Sequence, residues 1–179
     1  KVISKILVSR GIYDYDSAQN YFRPNEKQFQ DGFLMKGMNL SVERLNKAIN
    51  DKQTILIYGD YDVDGTCSVA MMVRFLKYLK ANVLYYQPHR ETEGYGISLK
   101  SVEWSVENKI DLVIALDCGI KDFLAADAYT NENIDLIICD HHNPAKTLPN
   151  AFSILNPKQS DCTYPFKELC GCTVGLKLI

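Results

Sequence analysis

Residues 54–66, TILIYGDYDVDGT, decide the fold. Ile55-Leu-Ile57 is a short, unbroken apolar run, and behind it Asp60, Asp62 and Asp64 stand at every second position before Gly65 and Thr66. Unbroken runs of this length rich in Ile and Leu read as strands buried on both faces. Gly65 permits a tight turn, and Thr66 is the expected cap of a following helix. In that helix, Thr66–Lys80, residues Val69, Met72, Val73, Leu76 and Leu79 recur at three- and four-residue steps, which is a core-facing stripe.

The same alternation continues downstream. Short apolar runs at Val83–Tyr86, Leu112–Leu116 and Ile134–Cys139 are separated by longer amphipathic segments at Leu99–Asn108 and Lys121–Thr130. Strand–helix alternation of this kind predicts an α/β fold: a parallel, doubly wound sheet flanked by helices, with right-handed crossovers. Ahead of it, residues 1–51 read as a helical lead-in. Lys1 to Arg10 ends at Gly11, a plausible C-cap, and Ser41 is the expected cap of Val42–Asn50. The sheet domain is expected over 52–179.

Composition narrows the function classes. A hydrophobic fraction of 46% with 23% charged residues is that of an ordinary globular chain. Lys and Arg number 20 against 22 Asp and Glu, a net charge of −2, so bulk electrostatics do not announce a nucleic-acid binder, although a local basic groove is compatible with it. No run approaches the ~20 apolar residues that span a bilayer, and no signal peptide opens the chain. The six cysteines lack a CxxC pair and read as small buried residues of a reducing, cytoplasmic setting. A zinc site on Cys162, Cys170 and Cys172 is the lesser alternative. The chain opens on Lys1 and closes at Ile179 within an apolar, helix-like run, so it reads as a piece of something longer.

In open parallel sheets, ligands bind beyond the carboxyl ends of the strands. After the first strand comes the aspartate-rich loop, and after the second Gln87-Pro-His-Arg-Glu-Thr-Glu-Gly-Tyr-Gly96. The third is followed by Asp117-Cys-Gly119 and the fourth by Asp140-His-His-Asn-Pro144. Any one of these has a bland reading: Asp117 as a helix cap, His141-His142 as a surface pair, His89 as a structural residue. Their coincidence at one sheet edge favours a hard divalent cation, since Mg²⁺ and Mn²⁺ prefer carboxylate oxygen and Mn²⁺ also takes imidazole. If the loop is extended, Asp60, Asp62 and Asp64 all face one pocket. A calcium EF-hand does not fit, because the downstream glutamate is absent and a strand comes first.

Asp60-Tyr-Asp-Val-Asp-Gly65, Asp117-Cys-Gly119 and Asp140-His141-His142 resemble, in order, the first three motifs of the DHH phosphoesterase superfamily. The additional Asp60, the Pro88-His-Arg90 to Gly94-Tyr-Gly96 loop, and Asn156-Pro157 with Leu169-Cys-Gly-Cys-Thr-Val-Gly175 are similar to the RecJ-type branch, single-strand-specific 5′→3′ DNA exonucleases of recombination and repair. The resemblance implies two Mn²⁺ or Mg²⁺ ions that activate water for attack on a phosphodiester. It implies Asp62, Asp64, Asp117 and His141 as metal ligands, with Asp117 bridging, and Asp60 as a ligand or supporting carboxylate. Asp140 would orient the histidines, while His142 and Arg90 would face the phosphate. By its own chemistry the Gly94-Tyr-Gly96 turn lets backbone amides approach a phosphate, and Tyr95 is either a stacking platform for a base or a solvated turn residue. Partners implied are single-stranded DNA, a single-strand-binding protein and a helicase, with no membrane.

Family members carry a fourth aspartate and a glycine-rich second domain downstream of the equivalent of Leu178. Without them, these residues form a DHH domain truncated at its C-terminus, expected to bind metal weakly and cleave poorly. Two other readings stay open: a small DHH phosphoesterase on oligonucleotides, cyclic dinucleotides or phosphoadenosine phosphate, and a non-catalytic nucleotide-binding module. The small enzymes usually place His and Asn-Pro ahead of the Asp-x-Asp step, where Tyr58 and Gly59-Asp60 stand here.

Overall fold

A computed structural model describes residues 2–179. It resolves into two compact units, 2–31 and Gly32–Ile179. The first unit holds α1 (Val2–Ser9) and α2 (Tyr15–Phe22). Helix α1 ends as expected: Gly11 takes φ +76°, and its N–H donates to the Val8 carbonyl at 3.0 Å. The part of that expected helix at Lys1 lies outside the described residues. Helix α2 starts on Asp14, whose carboxylate accepts from the Ser17 N–H at 2.8 Å.

The second unit is the α/β body. It runs α3 (Met38–Asn50), β1 (Thr54–Gly59), α4 (Val63–Tyr78), β2 (Asn82–Tyr86) and α5 (Leu99–Glu107). It continues with β3 (Leu112–Leu116), α6 (Phe123–Asn131), β4 (Asp135–Cys139), β5 (Ser153–Leu155) and α7 (Gly171–Leu178). The five strands lie in the order β2-β1-β3-β4-β5, every neighbouring pair parallel. Because β1 pairs with β2 on one side and β3 on the other, the chain reverses direction across the sheet there. That reversal opens a crevice above β1 and β3.

The period of two along each strand distributes the core. Ile55, Ile57, Leu112, Ile114, Leu116, Ile137 and Cys139 pack with Leu45, Met72, Leu76, Val174 and Leu178 of α3, α4 and α7. Leu56, Tyr58, Val113, Ala115, Leu136 and Ile138 pack with Val102, Ala125, Ala126 and Tyr129 of α5 and α6. β1, β3 and β4 are therefore covered on both sides, which is why their sequences show no alternation.

Several local expectations differ from the structure. Helix α3 begins at Met38 rather than after Ser41. Gly37, at φ +88°, is its N-cap, and the buried Ser41 hydroxyl lies 2.9 Å from the Gly37 carbonyl and 2.7 Å from the Ser153 hydroxyl. Helix α3 packs on β5, within the unit Gly32–Ile179. Strand β5, Ser153–Leu155, has no counterpart among the expected elements. Among the described residues no helix is long and apolar enough to cross a membrane.

Candidate metal centre

Three strand ends build the site. β1 ends at Gly59, and Asp60 follows it, buried at 1% exposure. The chain then turns at once into α4, and Asp62, with φ −81° and ψ −177°, is the N-cap: its carboxylate accepts from the Gly65 N–H at 2.9 Å. Asp62 therefore takes the capping role expected of Thr66, and the three aspartates do not share one face of an extended segment. A helix N-terminus offers unpaired N–H groups to a carboxylate, and this outcompetes the strand-like alternation. Asp64 sits in the first turn of α4. Its two oxygens accept from the N–H groups of Gly171 and Cys172, at 2.9 and 3.1 Å, at the head of α7.

Gly65 makes this turn possible. A Cβ on it would stand 2.4 Å from the Asp60 carbonyl oxygen and 2.7 Å from the Asp60 nitrogen, and backbone cannot swing aside. Gly65→Ala is expected to destabilise the chain by about 1–3 kcal/mol or more, the cost of overpacking, read as a lower denaturant midpoint.

After β3, Asp117 holds φ +63°, a left-handed conformation in which Asp and Asn are the commonest non-glycine residues. Its N–H donates to the Cys139 carbonyl at 2.8 Å, and its side chain is buried. After β4, the buried Asp140 carboxylate accepts four bonds: from the N–H groups of His141 (2.6 Å), His142 (3.0 Å) and Ile120 (3.0 Å), and from His142 Nδ1 (2.7 Å). Burial opposes its ionisation, but the bonds from His142 and Ile120 prevail and hold its pKa below the ordinary value. The same Asp140 contact raises the pKa of His142.

His141 makes the chemistry of the site explicit. Its Nδ1 lies 3.0 Å from the Leu169 carbonyl, an acceptor only, so Nδ1 carries the hydrogen. In the neutral ring this leaves Nε2 as a bare lone pair, and Nε2 faces Asp117 Oδ1 at 3.3 Å. By distance that pair counts as an ion pair, yet Asp117 Oδ1 is a buried oxygen without a hydrogen-bond partner. With Asp117 ionised, two acceptors point at each other across this gap, which a proton fills in the metal-free chain and which a metal cation suits. Asp60 Oδ1 is a second buried oxygen without a partner.

Charge crowding agrees. Burial first, then the carboxylates of Asp64, Asp62 and Asp140, push the pKa of Asp117 up to about 7. Asp60 is raised by burial, with Asp62 adding to it. Among the described residues, Asp117, His141 and His142 bring ligand atoms within 4.8 Å of one another. Carboxylate oxygen plus imidazole suits Mn²⁺ and Mg²⁺. The cysteine alternative does not assemble: Cys162 is buried in the core, while Cys170 is exposed at the head of α7.

The loop after β2 forms one wall. The Tyr95 hydroxyl lies 3.2 Å from His142 Nε2. The same hydroxyl lies 3.4 Å from the Asp117 carbonyl, to which it donates, so it is free to accept from Nε2 of the protonated His142 ring. Tyr95 is exposed as a residue, but partial desolvation of its hydroxyl and the nearby Asp140 raise its pKa, so it stays protonated at neutral pH. Arg90 is exposed, with its guanidinium 5.1 Å from the Tyr61 ring centroid. Gly94 takes φ +78° facing open space, and Gly96 takes φ +87° with its carbonyl accepting from the buried Tyr58 hydroxyl at 2.7 Å. His89 is exposed, its N–H donating to Glu93 at 2.9 Å.

Sequence reasoning did not single out Gly171, where a Cβ would lie 1.9 Å from Asp117 Oδ1, nor the Leu169 carbonyl that sets the His141 tautomer. Both fall in the Leu169-Cys-Gly-Cys tail, which stands out in the sequence only as a pattern. A cavity of about 580 Å³, lined by Arg44, Lys47, Asp111 and Asp135, opens at the amino ends of the strands, away from this chemistry.

The family profile described as DHH family, N-terminal domain, matches residues 54–179. The chain belongs to the DHH family. It is 40% identical over 177 residues to the single-stranded-DNA-specific exonuclease RecJ of Bacillus subtilis, covering 99% of this chain and 22% of that protein. To the RecJ of Escherichia coli it is 32% identical over 179 residues, covering 99% of this chain and 30% of that one. A crystal structure of exonuclease RecJ bound to manganese superposes with a TM-score of 0.73 at 31% identity, over 80% of this chain and 36% of that one. RecJ from Thermus thermophilus in complex with Mn²⁺ gives 0.74 at 25% identity, over 96% and 23%. This DHH chain thus spans under a third of the curated relatives just named, and its fold superposes on that of the two manganese-bound RecJ structures.

Proposed function

We propose that this DHH chain carries the metal-binding half of a 5′→3′ single-strand-specific DNA exonuclease that hydrolyses phosphodiesters with two Mn²⁺ or Mg²⁺ ions. The observation that supports it most is the bare His141 Nε2 facing the unpartnered, buried Asp117 Oδ1. In this reading Asp117, His141, Asp62 and Asp64 hold the ions, and Asp60 supplies a further buried carboxylate. Bound ions of this class lower the pKa of water and stabilise entering and leaving oxygens.

The chain's own groups supply the rest. The Leu169 carbonyl fixes His141 with Nε2 inward. Asp140 does the same for His142 and favours its protonated form, which suits a contact with the scissile phosphate. Arg90, over the Tyr61 ring, adds a fixed positive charge whose field reaches Asp60. The turn at Gly94, Tyr95 and Gly96 walls the site, with Tyr95 able to stack on a base. A helical lead-in ahead of a DHH phosphoesterase domain belongs to the same proposal, as do a single-strand-binding protein, a helicase and a cytoplasmic setting.

The test is hydrolysis by the intact protein, with Mn²⁺, of a 5′-phosphorylated single strand, its duplex, a dinucleotide and pyrophosphate. The expected result is cleavage of the single strand from its 5′ end, lost in His142→Ala. Preference for the dinucleotide would make it a small phosphoesterase, and no hydrolysis of any arm would make it a binding module.

A further inference from the structure

Asp122 heads α6 as its N-cap residue yet makes no capping bond with its side chain. The carboxylate accepts instead from the Ile97 N–H at 2.7 Å, across 25 residues of sequence. Gly96, next to it, is pressed against the same group: a Cβ there would lie 2.7 Å from Asp122 Oδ2 and 2.8 Å from Oδ1. Asp122 thus forgoes a local role, ordinarily the favoured one for this residue type, to hold a distant loop. A carboxylate bond to a backbone N–H is among the stronger anchors available.

The loop it holds carries Tyr95. Its stem is fastened independently by Glu93, which accepts from the Tyr86 hydroxyl (2.8 Å), the Ser98 hydroxyl (2.6 Å) and the His89 N–H (2.9 Å). Tyr58 secures the Gly96 carbonyl. Between these fixed points Tyr95 projects edge-on to His142, with ring centroids 5.9 Å apart at 82°. We infer that Asp122 is a positioning residue: by clamping Gly96-Ile97 it fixes the Tyr95 hydroxyl against His142 Nε2, and so sets where His142 meets the substrate phosphate. The inference rests on the proposed nuclease reading for its catalytic consequence, but its structural half stands alone.

The test combines Asp122→Ala, Asp122→Asn and Tyr95→Phe in the intact protein. Asparagine keeps one acceptor oxygen for Ile97, while removing the charge and replacing the other oxygen with NH2. Expected are a fall in kcat on single-stranded DNA of about 10- to 100-fold for Asp122→Ala, the range for outer partners of a site, and retention of most of kcat for Asp122→Asn. Asp122→Ala added to Tyr95→Phe is expected to cost little more than Tyr95→Phe alone. In the protein without substrate, the nuclear Overhauser contact between the Tyr95 and His142 rings disappears in Asp122→Ala and persists in Asp122→Asn. Should Asp122→Ala fail to fold, Gly96→Ala attacks the same contact from the loop side and is expected to lose the same ring contact. The inference is overturned if Asn falls as far as Ala, if the two losses multiply, or if the ring contact survives Asp122→Ala. Absence of any wild-type hydrolysis would sink the nuclease reading, while the ring contact still decides the anchor.

Discussion

Asp117→Asn is expected to stabilise the metal-free chain at pH 8 while abolishing its stabilisation by Mn²⁺. Asp117 titrates near 7 in the folded chain against an ordinary 3.8, a raised value. For a raised carboxylate the stability contribution is fully present below the unfolded pKa and lost as pH rises through the folded one. The metal-free wild type should therefore weaken from about pH 4 to about pH 7, and Asn should remove that slope. Asn is also the substitution the backbone tolerates, because φ is +63° there, whereas Ala would add strain to the loss of the carboxylate. With Mn²⁺ at 100 times its Kd, the wild type should gain about 2.7 kcal/mol, or very roughly 5–10 °C in melting temperature for a chain of this size. That gain should shrink below pH 7, where protons compete for Asp117, and should vanish in the variant. On the proposed nuclease reading, turnover of the intact protein should fall about 10³-fold or more, the equivalent of several kcal/mol of charge stabilisation. A variant that still melts higher with Mn²⁺ would remove Asp117 from the metal site.

The parts of this site that were legible in the sequence are those that follow from strand ends. β1, β3 and β4 announce themselves because covering both faces leaves each an unbroken apolar run, and the residue after each run then lies at one rim. Asp60, Asp117 and Asp140 follow from that rule alone. The arrangement within the aspartate loop was not legible, since an N-cap and an extended segment place Asp62 and Asp64 differently and the local sequence suits both. Strand β5 was missed because Ser153-Ile-Leu155 is too short to show a period, and its pairing with β4 is a tertiary event. Strand order was open for the same reason. The tautomer of His141 depends on a carbonyl 28 residues away, which no local pattern encodes.

Gly171→Ala shows how closely that distant tail is tied to the centre, and it is expected to be the most damaging single methyl group in the chain. The added Cβ would lie 1.9 Å from Asp117 Oδ1, 2.5 Å from its Cγ and 2.7 Å from its Cβ, so rotation of the carboxylate cannot clear it. Asp117 itself has little freedom, being held by its N–H bond to Cys139 and packed beneath α7. The alternative is for the head of α7 to lift, which breaks the bonds from Gly171 and Cys172 to Asp64. Either route displaces a carboxylate of the proposed metal site, and lifting α7 also disturbs Val174 and Leu178 in the core. A loss of about 1–3 kcal/mol or more is expected from overpacking, together with loss of the Mn²⁺-induced rise in melting temperature. Gly175→Ala is the control one turn along the same helix. Its Cβ would meet Leu116 Cδ2 at 3.1 Å, a side-chain methyl that can yield, and alanine gains up to about 1 kcal/mol of helix propensity over glycine. If Gly175→Ala binds Mn²⁺ normally and Gly171→Ala does not, the contact at Asp117 is the cause. If Gly171→Ala keeps its metal response, the tail does not shape the centre.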